Sequence, residues 1–247
     1  MGQAMIHAQG VTKAFPTGWF GRGRPVEVLR GFDFQALPGE ITGLLGRNGA
    51  GKTTFFRGLT GLERFDSGTL LVDGFNPSLD PLALRGRVAL LPEEPGVDPS
   101  STGRLHLELF ATQQGLPLAR ARQLMAQAND YLNFDEFWNR PFRTYSRGQK
   151  ARIALARLRL IERAQVFIFD EPSNGLDFEA VGRLHAFIRS LAKDGKTVVV
   201  SSHILNDLRV LCDRLVGLID GMAATPEQIQ GWMKAHADFQ DQPEATA

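Results

Sequence analysis

The segment GRNGAGKTT, at residues 46–54, has the residue types and spacing of a phosphate-binding loop. Its glycines let consecutive backbone N–H groups turn toward an anion, and a helix after Gly51 would add its dipole. Lys52 is then placed to reach the β- and γ-phosphates of a nucleotide, and the Thr53 hydroxyl to meet Mg²⁺. The alternative is a glycine-rich turn that only caps a helix, but the apolar segment EITGLLG before it predicts the strand that the motif requires. We therefore predict nucleotide contacts by Gly46, Asn48, Gly49, Ala50, Gly51, Lys52, Thr53 and Thr54.

Two adjacent acids end the apolar segment VFIFDEP, at residues 166–172. At the carboxyl end of a strand beside a phosphate loop, Asp170 could hold Mg²⁺ directly or through water, and Glu171 could polarise the attacking water. Acids also close strands at protein surfaces, so the pair alone is a weak motif. The rigid strand before it and Pro172 after it favour the catalytic interpretation.

A histidine, His203, ends another strand-like segment, TVVVSSH. A single histidine is more often a surface or core residue than a functional one. However, the carboxyl ends of neighbouring parallel strands gather at one edge of a sheet. Gly46, Asp170 and His203 each follow such a strand, so we expect all three to converge on one γ-phosphate.

The segment TYSRGQKARIALAR, at residues 144–157, begins a helical pattern with Ser146 and Gln149 three residues apart. That spacing is a capping box, which by itself indicates only a well-started helix. The same segment could be half of a nucleotide site whose other half lies elsewhere. Arg147 complicates the second interpretation, because a bulky cation is unusual where a backbone approaches phosphate.

The elements around these segments predict an α/β fold with a mostly parallel sheet covered by helices. Short β-like segments in the first ~40 residues predict a small N-terminal antiparallel part. Amphipathic helices over residues 102–138, one with Leu118, Ala121, Leu124, Met125 and Ala128 on one face, predict a helical insertion. We place a nucleotide-binding domain at 1–225, with its core at 1–95 and 156–225 and a helical subdomain at about 96–155. The polar tail at 226–247 is expected to be partly disordered.

Composition narrows the possible functions. The chain has 247 residues, 43% hydrophobic and 22% charged, which is ordinary for a globular protein. A net charge of +1 argues against nucleic-acid binding by bulk electrostatics, and the single cysteine, Cys212, argues against a disulfide framework. No apolar run approaches the roughly 18 residues of a membrane span, and no signal peptide is apparent. We expect a cytosolic chain that does not insert into a membrane and reaches one only through a partner.

With these residues in view, the chain strongly resembles the nucleotide-binding domain of ATP-binding cassette (ABC) proteins. The resemblance covers nearly everything from about residue 8 to about residue 221. Six motifs stand in the family's order: GRNGAGKTT as Walker A, LLPEEP as the Q-loop region, YSRGQ as the signature, FIFDEP as Walker B, SNGLD as the D-loop and SSH as the H-loop. The resemblance implies a P-loop NTPase fold with a RecA-like core.

The resemblance also implies roles in ATP hydrolysis. Glu171 would be the general base, His203 would contact the γ-phosphate, and Lys52 would bind phosphate, while Thr53 and Asp170 would hold Mg²⁺. ATP would lie between two copies of the chain in a head-to-tail homodimer. The signature of one copy would face the phosphate loop of the other, and the D-loop would link the two sites. The residues that we assign to this interface are Ser146, Gly148, Gln149 and Asp177.

An aromatic residue upstream of the phosphate loop would stack on adenine. Phe15 is the best match, since stacking needs only an aromatic face. Trp19 and Phe20 compete with it, and core packing is the alternative for Phe15.

Two departures from the family pattern fall near the site. Glu93 stands where the family usually has glutamine, and we expect it to ligate Mg²⁺ or hold a water. PEEP-like variants are similar to those of cassettes that serve exporter-type permeases. Arg147 stands where the signature usually has glycine; its side chain could turn outward or lie near the ligand. We expect Arg147→Gly to keep most activity and Ser146→Arg to lose it.

The complete motif set implies an active ATPase using ATP and Mg²⁺. The leading hypothesis is the ATPase subunit of an ABC transporter, bound through a permease on another chain to the cytoplasmic face of the inner (plasma) membrane. The alternative is a soluble cassette ATPase, for example in cofactor assembly. Translation-type members are tandem cassettes, and repair-type members need a coiled coil for which the insertion has no room.

Overall fold

The fold is taken from a computed structural model, which describes residues 4–17, 23–93, 99–225 and 227–231. Trp19 and Phe20, the competitors of Phe15, lie outside the described residues, as does most of the predicted tail at 226–247.

Strands and helices alternate along the chain as the sequence pattern predicts. The strands are β1 (Ile6–Phe15), β2 (Val26–Ala36), β3 (Ile41–Leu45), β4 (Ser67–Val72), β5 (Val88–Leu91), β6 (Val166–Phe169), β7 (Thr197–Ser202), β8 (Arg214–Ile219) and β9 (Met222–Ala223). The helices are α1 (Lys52–Leu59), α2 (Pro81–Leu84), α3 (Gly103–Gln113), α4 (Leu118–Leu132), α5 (Arg147–Arg159), α6 (Phe178–Lys193) and α7 (Leu205–Leu211), with a 3-10 turn at Phe142–Thr144. None of the helices in the described ranges combines the length and apolar character needed to cross a bilayer.

The strands form two sheets. The smaller sheet is antiparallel in the order β2-β1-β4, and the larger has the order β5-β6-β7-β3-β8-β9. Every pair in the larger sheet is parallel except β8 and β9. The predicted α/β class with a mostly parallel sheet is therefore confirmed. Because β6, β7 and β3 are neighbours, the carboxyl ends of these three strands lie side by side.

Continuous apolar sequence explains the central position of these strands. Every residue of β3, β6 and β7 is buried, as expected for parallel strands covered on both faces. The polar ends of the same strands, rather than their interiors, are thus the positions free to carry chemistry.

Helices α3, α4 and α5 lie in the chain between β5 and β6. The buried residues of α4 include four of the five predicted on its apolar face, but Leu118 is 53% exposed. Leu118 is the first residue of the helix, where the stripe has not yet reached its packing partners. Helix α5 also runs across residue 155, where we drew the end of the helical subdomain. The domain division at 96–155 remains a prediction.

Candidate active site

The phosphate loop joins β3 to α1, and its backbone depends on glycine. Gly51 caps α1 with φ +107, and a Cβ there would stand 2.9 Å from Val28 Cγ1. A side chain at this position would therefore collide with β2 as well as strain the backbone. Lys52, the first residue of α1, turns its Nζ back to donate to the carbonyl oxygens of Gly46 (2.6 Å) and Arg47 (3.2 Å).

A cavity of about 300 Å³ opens over this loop. Its lining combines the N-terminal end of α1 and Lys52 with two carboxylates, Glu93 and Glu171. Its lining residues are Val28, Asn48, Gly49, Gly51, Lys52, Thr53, Thr54, Glu93 and Glu171. Of the predicted loop contacts, Gly46 lies behind it as the acceptor for Lys52, and Ala50 lines a neighbouring cavity of about 950 Å³.

Asp170, the first acid after β6, connects this strand to helix α1 and to strand β7. Asp170 accepts a hydrogen bond at Oδ2 from Thr53 Oγ1 (2.6 Å) and another at Oδ1 from Ser201 Oγ (2.7 Å). Ser201 Oγ in turn accepts the backbone N–H of Glu171 at 2.9 Å. One buried serine on β7 therefore orients both acids of the predicted pair.

Glu171 lies between a lysine and a histidine. Its Oε1 is 2.9 Å from Lys52 Nζ, and its Oε2 is 2.9 Å from His203 Nδ1. Its backbone has φ +49, a conformation that non-glycine residues adopt rarely. Lys52, Glu171 and His203 thus meet at the sheet edge where β3, β6 and β7 end. That Gly46, Asp170 and His203 converge on one γ-phosphate remains a prediction.

The donor set around Thr53 and Asp170 fits Mg²⁺. Both offer hard oxygen atoms beside the phosphate cavity, which is what this ion requires. Glu93, the third predicted ligand, lines the same cavity, but its Oε1 accepts a hydrogen bond from Asn174 Nδ2 at 3.0 Å.

The signature segment starts α5 with a complete capping box. Ser146 Oγ accepts the Gln149 N–H at 3.2 Å, and Gln149 Oε1 accepts the Ser146 N–H at 3.1 Å. Tyr145 is buried, and its hydroxyl accepts the Gly103 N–H at 3.1 Å, tying α3 to α5; burial raises the pKa of this phenol. Ser146, Gly148 and Gln149 are not among the residues that line the phosphate cavity of their own chain.

Two other predicted contacts have local partners. Asp177 is the N-cap of α6, and its Oδ1 accepts the Ala180 N–H at 2.8 Å. Phe15 ends β1 half-buried, with the Lys13 ammonium 5.0 Å from its ring centroid. Phe15 does not line the 950 Å³ cavity beside the loop, although its strand partner Val26 does. Adenine stacking on Phe15 therefore remains a prediction.

Sequence reasoning missed two residues of this site. Ser201 was visible as a polar residue ending an apolar strand within SSH, but its partners depend on β6 and β7 being neighbours. Val28 gave no signal, because an apolar residue on a strand is ordinary, yet its side chain approaches Gly51 and lines the phosphate cavity.

A phosphate loop, paired acids and a histidine on three adjacent parallel strands define a P-loop nucleotide-binding protein. A scan against family models matches residues 29–174 to the ABC transporter family. The chain therefore belongs to the ABC transporter family, as the six motifs predicted.

Individual relatives agree with this assignment. The chain is 30% identical over 197 residues to the ABC transporter ATP-binding protein NatA of Bacillus subtilis, covering 79% of this chain and 80% of that one. It is 34% identical over 194 residues to a Nod factor export ATP-binding protein I of Ralstonia nicotianae, covering 78% and 60%. It is 37% identical over 184 residues to rat ATP-binding cassette sub-family A member 7, covering 74% of this chain but only 8% of that much longer relative.

The fold has a close match among solved structures. A dimeric post-hydrolysis state of the ATP-binding cassette MJ0796, bound to ADP and Pi, aligns with a TM-score of 0.79 at 23% identity. The alignment covers 90% of this chain and 97% of that one. The predicted P-loop NTPase fold is confirmed.

Proposed function

We propose that this chain is the ATP-hydrolysing subunit of an ABC transporter. The observation that carries the proposal is the pair of contacts at Glu171, with Lys52 of the phosphate loop on one carboxylate oxygen and His203 on the other. Phosphoryl transfer to water needs a cation at the phosphates and a group that orients the attacking water. The segments after β3 and β6 bring Lys52 and Glu171 to one cavity, and His203, after β7, contacts Glu171 from the side.

In the proposed reaction, Glu171 accepts a proton from the water whose oxygen attacks the γ-phosphorus, while the bond from that phosphorus to the leaving oxygen of ADP breaks. Lys52 and the loop N–H groups offset the negative charge of the phosphates. His203 holds Glu171 in place and lies beside the same phosphate. Thr53 and Asp170 would hold Mg²⁺, with Glu93 nearby, and the bound ion would neutralise charge on the phosphate oxygens.

A second copy of the chain completes the site. Ser146 starts a helix whose N–H groups and dipole suit a phosphate, yet Ser146 does not line the phosphate cavity of its own chain. We propose a homodimer in which this helix end meets the nucleotide held by the partner's Lys52. The dimeric state of the MJ0796 cassette supports this arrangement.

The printed names of the relatives favour a transporter over a soluble ATPase, and the Ralstonia relative is named for export. We therefore propose that a permease on another chain holds this subunit at the cytoplasmic face of a membrane and exports its substrate. Isolation from detergent-solubilised membranes tests this part: a stoichiometric multi-span partner is expected, and a soluble scaffold in its place would refute coupling to transport.

Glu171→Gln tests the reaction itself. The variant keeps the shape of the side chain but cannot take the proton, so we expect ATP turnover to be abolished while ATP still holds a stable dimer. Phosphate release and size-exclusion chromatography with ATP measure the two effects. The matched control is Glu162→Gln, which removes the exposed ion pair with Arg120 and should leave both unchanged. Normal turnover in Glu171→Gln would show that another group is the base.

A further inference from the structure

Arg147, the unusual cation of the signature, lies directly on the D-loop. A Cβ added to Gly175 would stand 2.3 Å from Arg147 Nη1, 2.4 Å from Cζ and 2.8 Å from Nε. All three atoms belong to the guanidinium group, so its plane rests against the Gly175 backbone in space that any side chain would fill. Gly175 has φ +67, a conformation that also favours glycine.

The segment that Arg147 covers is the β6–α6 loop, at residues 170–177. Beside Gly175, Asn174 Nδ2 donates to Glu93 Oε1 at 3.0 Å, and one residue earlier Ser173 Oγ donates to Asp207 Oδ2 at 2.8 Å. In the middle of the loop, at residues 173–175, the side chains of Asp207, Glu93 and Arg147 contact it from outside, and Arg147 is the one of these three that comes from the start of α5.

The contact also borders a cavity shared by the two halves of the site. This cavity, of about 450 Å³, lies between α5 and the end of β6. Two cations of α5 line it together with acids of the loop and with the acid that follows β5. The charged lining residues are Glu93, Arg147, Lys150, Asp170 and Glu171. Arg147 therefore adds a positive charge to the cavity that Glu93 also lines.

We propose that Arg147 is a positioning residue for hydrolysis, which holds the β6–α6 loop in the conformation that places Glu171 at one end and Asp177 at the other. The proposal rests on the ATPase function proposed above. It does not require Arg147 to touch the nucleotide of its own chain, and that residue is absent from the lining of the phosphate cavity. The effect of losing Arg147 should thus appear in kcat and not in the KM for ATP.

This placement changes the expectation for Arg147→Gly. The sequence left open whether the side chain points outward, and we expected the change to keep most activity. The guanidinium is packed on Gly175, and Arg147→Gly removes this contact with the β6–α6 loop. We therefore expect the ATPase activity of this variant to fall. Lysine should not substitute, because its ammonium has no planar face to lie on a backbone.

The test is a double-mutant cycle between Arg147→Ala and Gly175→Ala. Each change separates the guanidinium from the loop, so we expect kcat to fall about threefold to thirtyfold in Arg147→Ala, with KM for ATP within about twofold. Gly175→Ala should lower kcat further through its strained backbone, but the double variant should be clearly better than the product of the two single effects. Arg147→Lys should behave like Arg147→Ala.

Two controls isolate the contact. Gly195→Ala places the same strain at φ +78 where a Cβ would meet nothing within 4 Å, and it should combine multiplicatively with Arg147→Ala. Arg143→Ala removes a neighbouring exposed arginine and should leave kcat unchanged. Multiplicative effects at positions 147 and 175, rescue by lysine, or an equal loss in Arg143→Ala would overturn the proposal. A wild-type chain that hydrolyses no ATP would instead overturn the proposed function.

Discussion

The Lys52 ammonium lies 2.9 Å from the Glu171 carboxylate, and the two side chains are only 6% and 8% exposed. One comes from the start of α1 and the other from the end of β6, so the phosphate loop and the acid pair meet through a buried ion pair. Each group offsets a charge that would otherwise be buried alone. The two side chains proposed to act on ATP are therefore coupled in the stability of the fold, because the loss of either one leaves the other charge buried without its partner.

Lys52→Met should lower stability as well as abolish ATP turnover, because it leaves a buried carboxylate with only His203 beside it. Removing one member of a buried pair costs about 3 kcal/mol, whereas neutralising both is far less costly. We expect the double variant Lys52→Met/Glu171→Gln to unfold in urea close to the wild type, yet to stay inactive. If its loss of stability equals the sum of the two single losses, the ion pair does not stabilise the fold.

Ser201→Ala should weaken turnover although it touches no phosphate. The change removes the donor to Asp170 Oδ1 and leaves the Glu171 N–H buried without its acceptor. An unsatisfied buried group costs about 1–3 kcal/mol, and the loss falls on the residue whose backbone is already strained. The control is Ser190→Ala, which removes a buried hydroxyl bonded to the Phe187 carbonyl, away from the site. Urea unfolding should show a loss of stability in both variants, whereas phosphate release should be slower only in Ser201→Ala.

Ser146→Ala and Thr102→Ala remove the same kind of helix cap at two places. Ser146 caps α5 through the Gln149 N–H, and Thr102 caps α3 through the Leu105 N–H. Each change should cost about 1 kcal/mol of stability. Only Ser146→Ala should also lower turnover, since the start of α5 is proposed to meet the partner's nucleotide, and Ser146→Arg should abolish it. Equal turnover in the two alanine variants would limit Ser146 to its capping role.

His106 should make stability fall as the solution is acidified. Burial, assisted by the Arg157 guanidinium, lowers the pKa of His106 from 6.5 to about 4. Between these values the unfolded chain binds a proton that the folded chain does not, so the stability present above the ordinary pKa is progressively lost as the pH falls toward 4. His106→Leu should reduce the slope of urea midpoint against pH, leaving the part due to His185, whose pKa is also lowered by burial.

The sequence predicted the strands well because each one is a continuous apolar segment that can be recognised without knowing the rest of the fold. VFIF and TVVVSS are continuous apolar runs that end in polar residues, and both are fully buried strands in the structure. The positions of Gly46, Asp170 and His203 just after strands could likewise be read from the sequence, since parallel strands gather their carboxyl ends at one edge.

Strand order and side-chain direction could not be read in the same way. The contact between Ser201 and Asp170 depends on β7 lying next to β6, and no residue in either strand records its neighbour. The direction of the Arg147 side chain depends on the space that the missing side chain of Gly175 leaves, and Gly175 is 28 residues further along the chain. Leu118 fitted the apolar stripe of α4 but sits at its exposed first turn.

The helices α3 to α5 connect β5 to β6 in the chain, and among the described residues β5 is the edge strand of the larger sheet. The hydrogen bonds that join β6, β7 and β3 are made by strands outside this excursion. A residue added to the connection between α3 and α4 therefore changes no hydrogen bond among the strands whose ends lie beside Lys52, Glu171 and His203. For protein engineering, that connection is the place for an insertion, while the three strand ends have to keep their register.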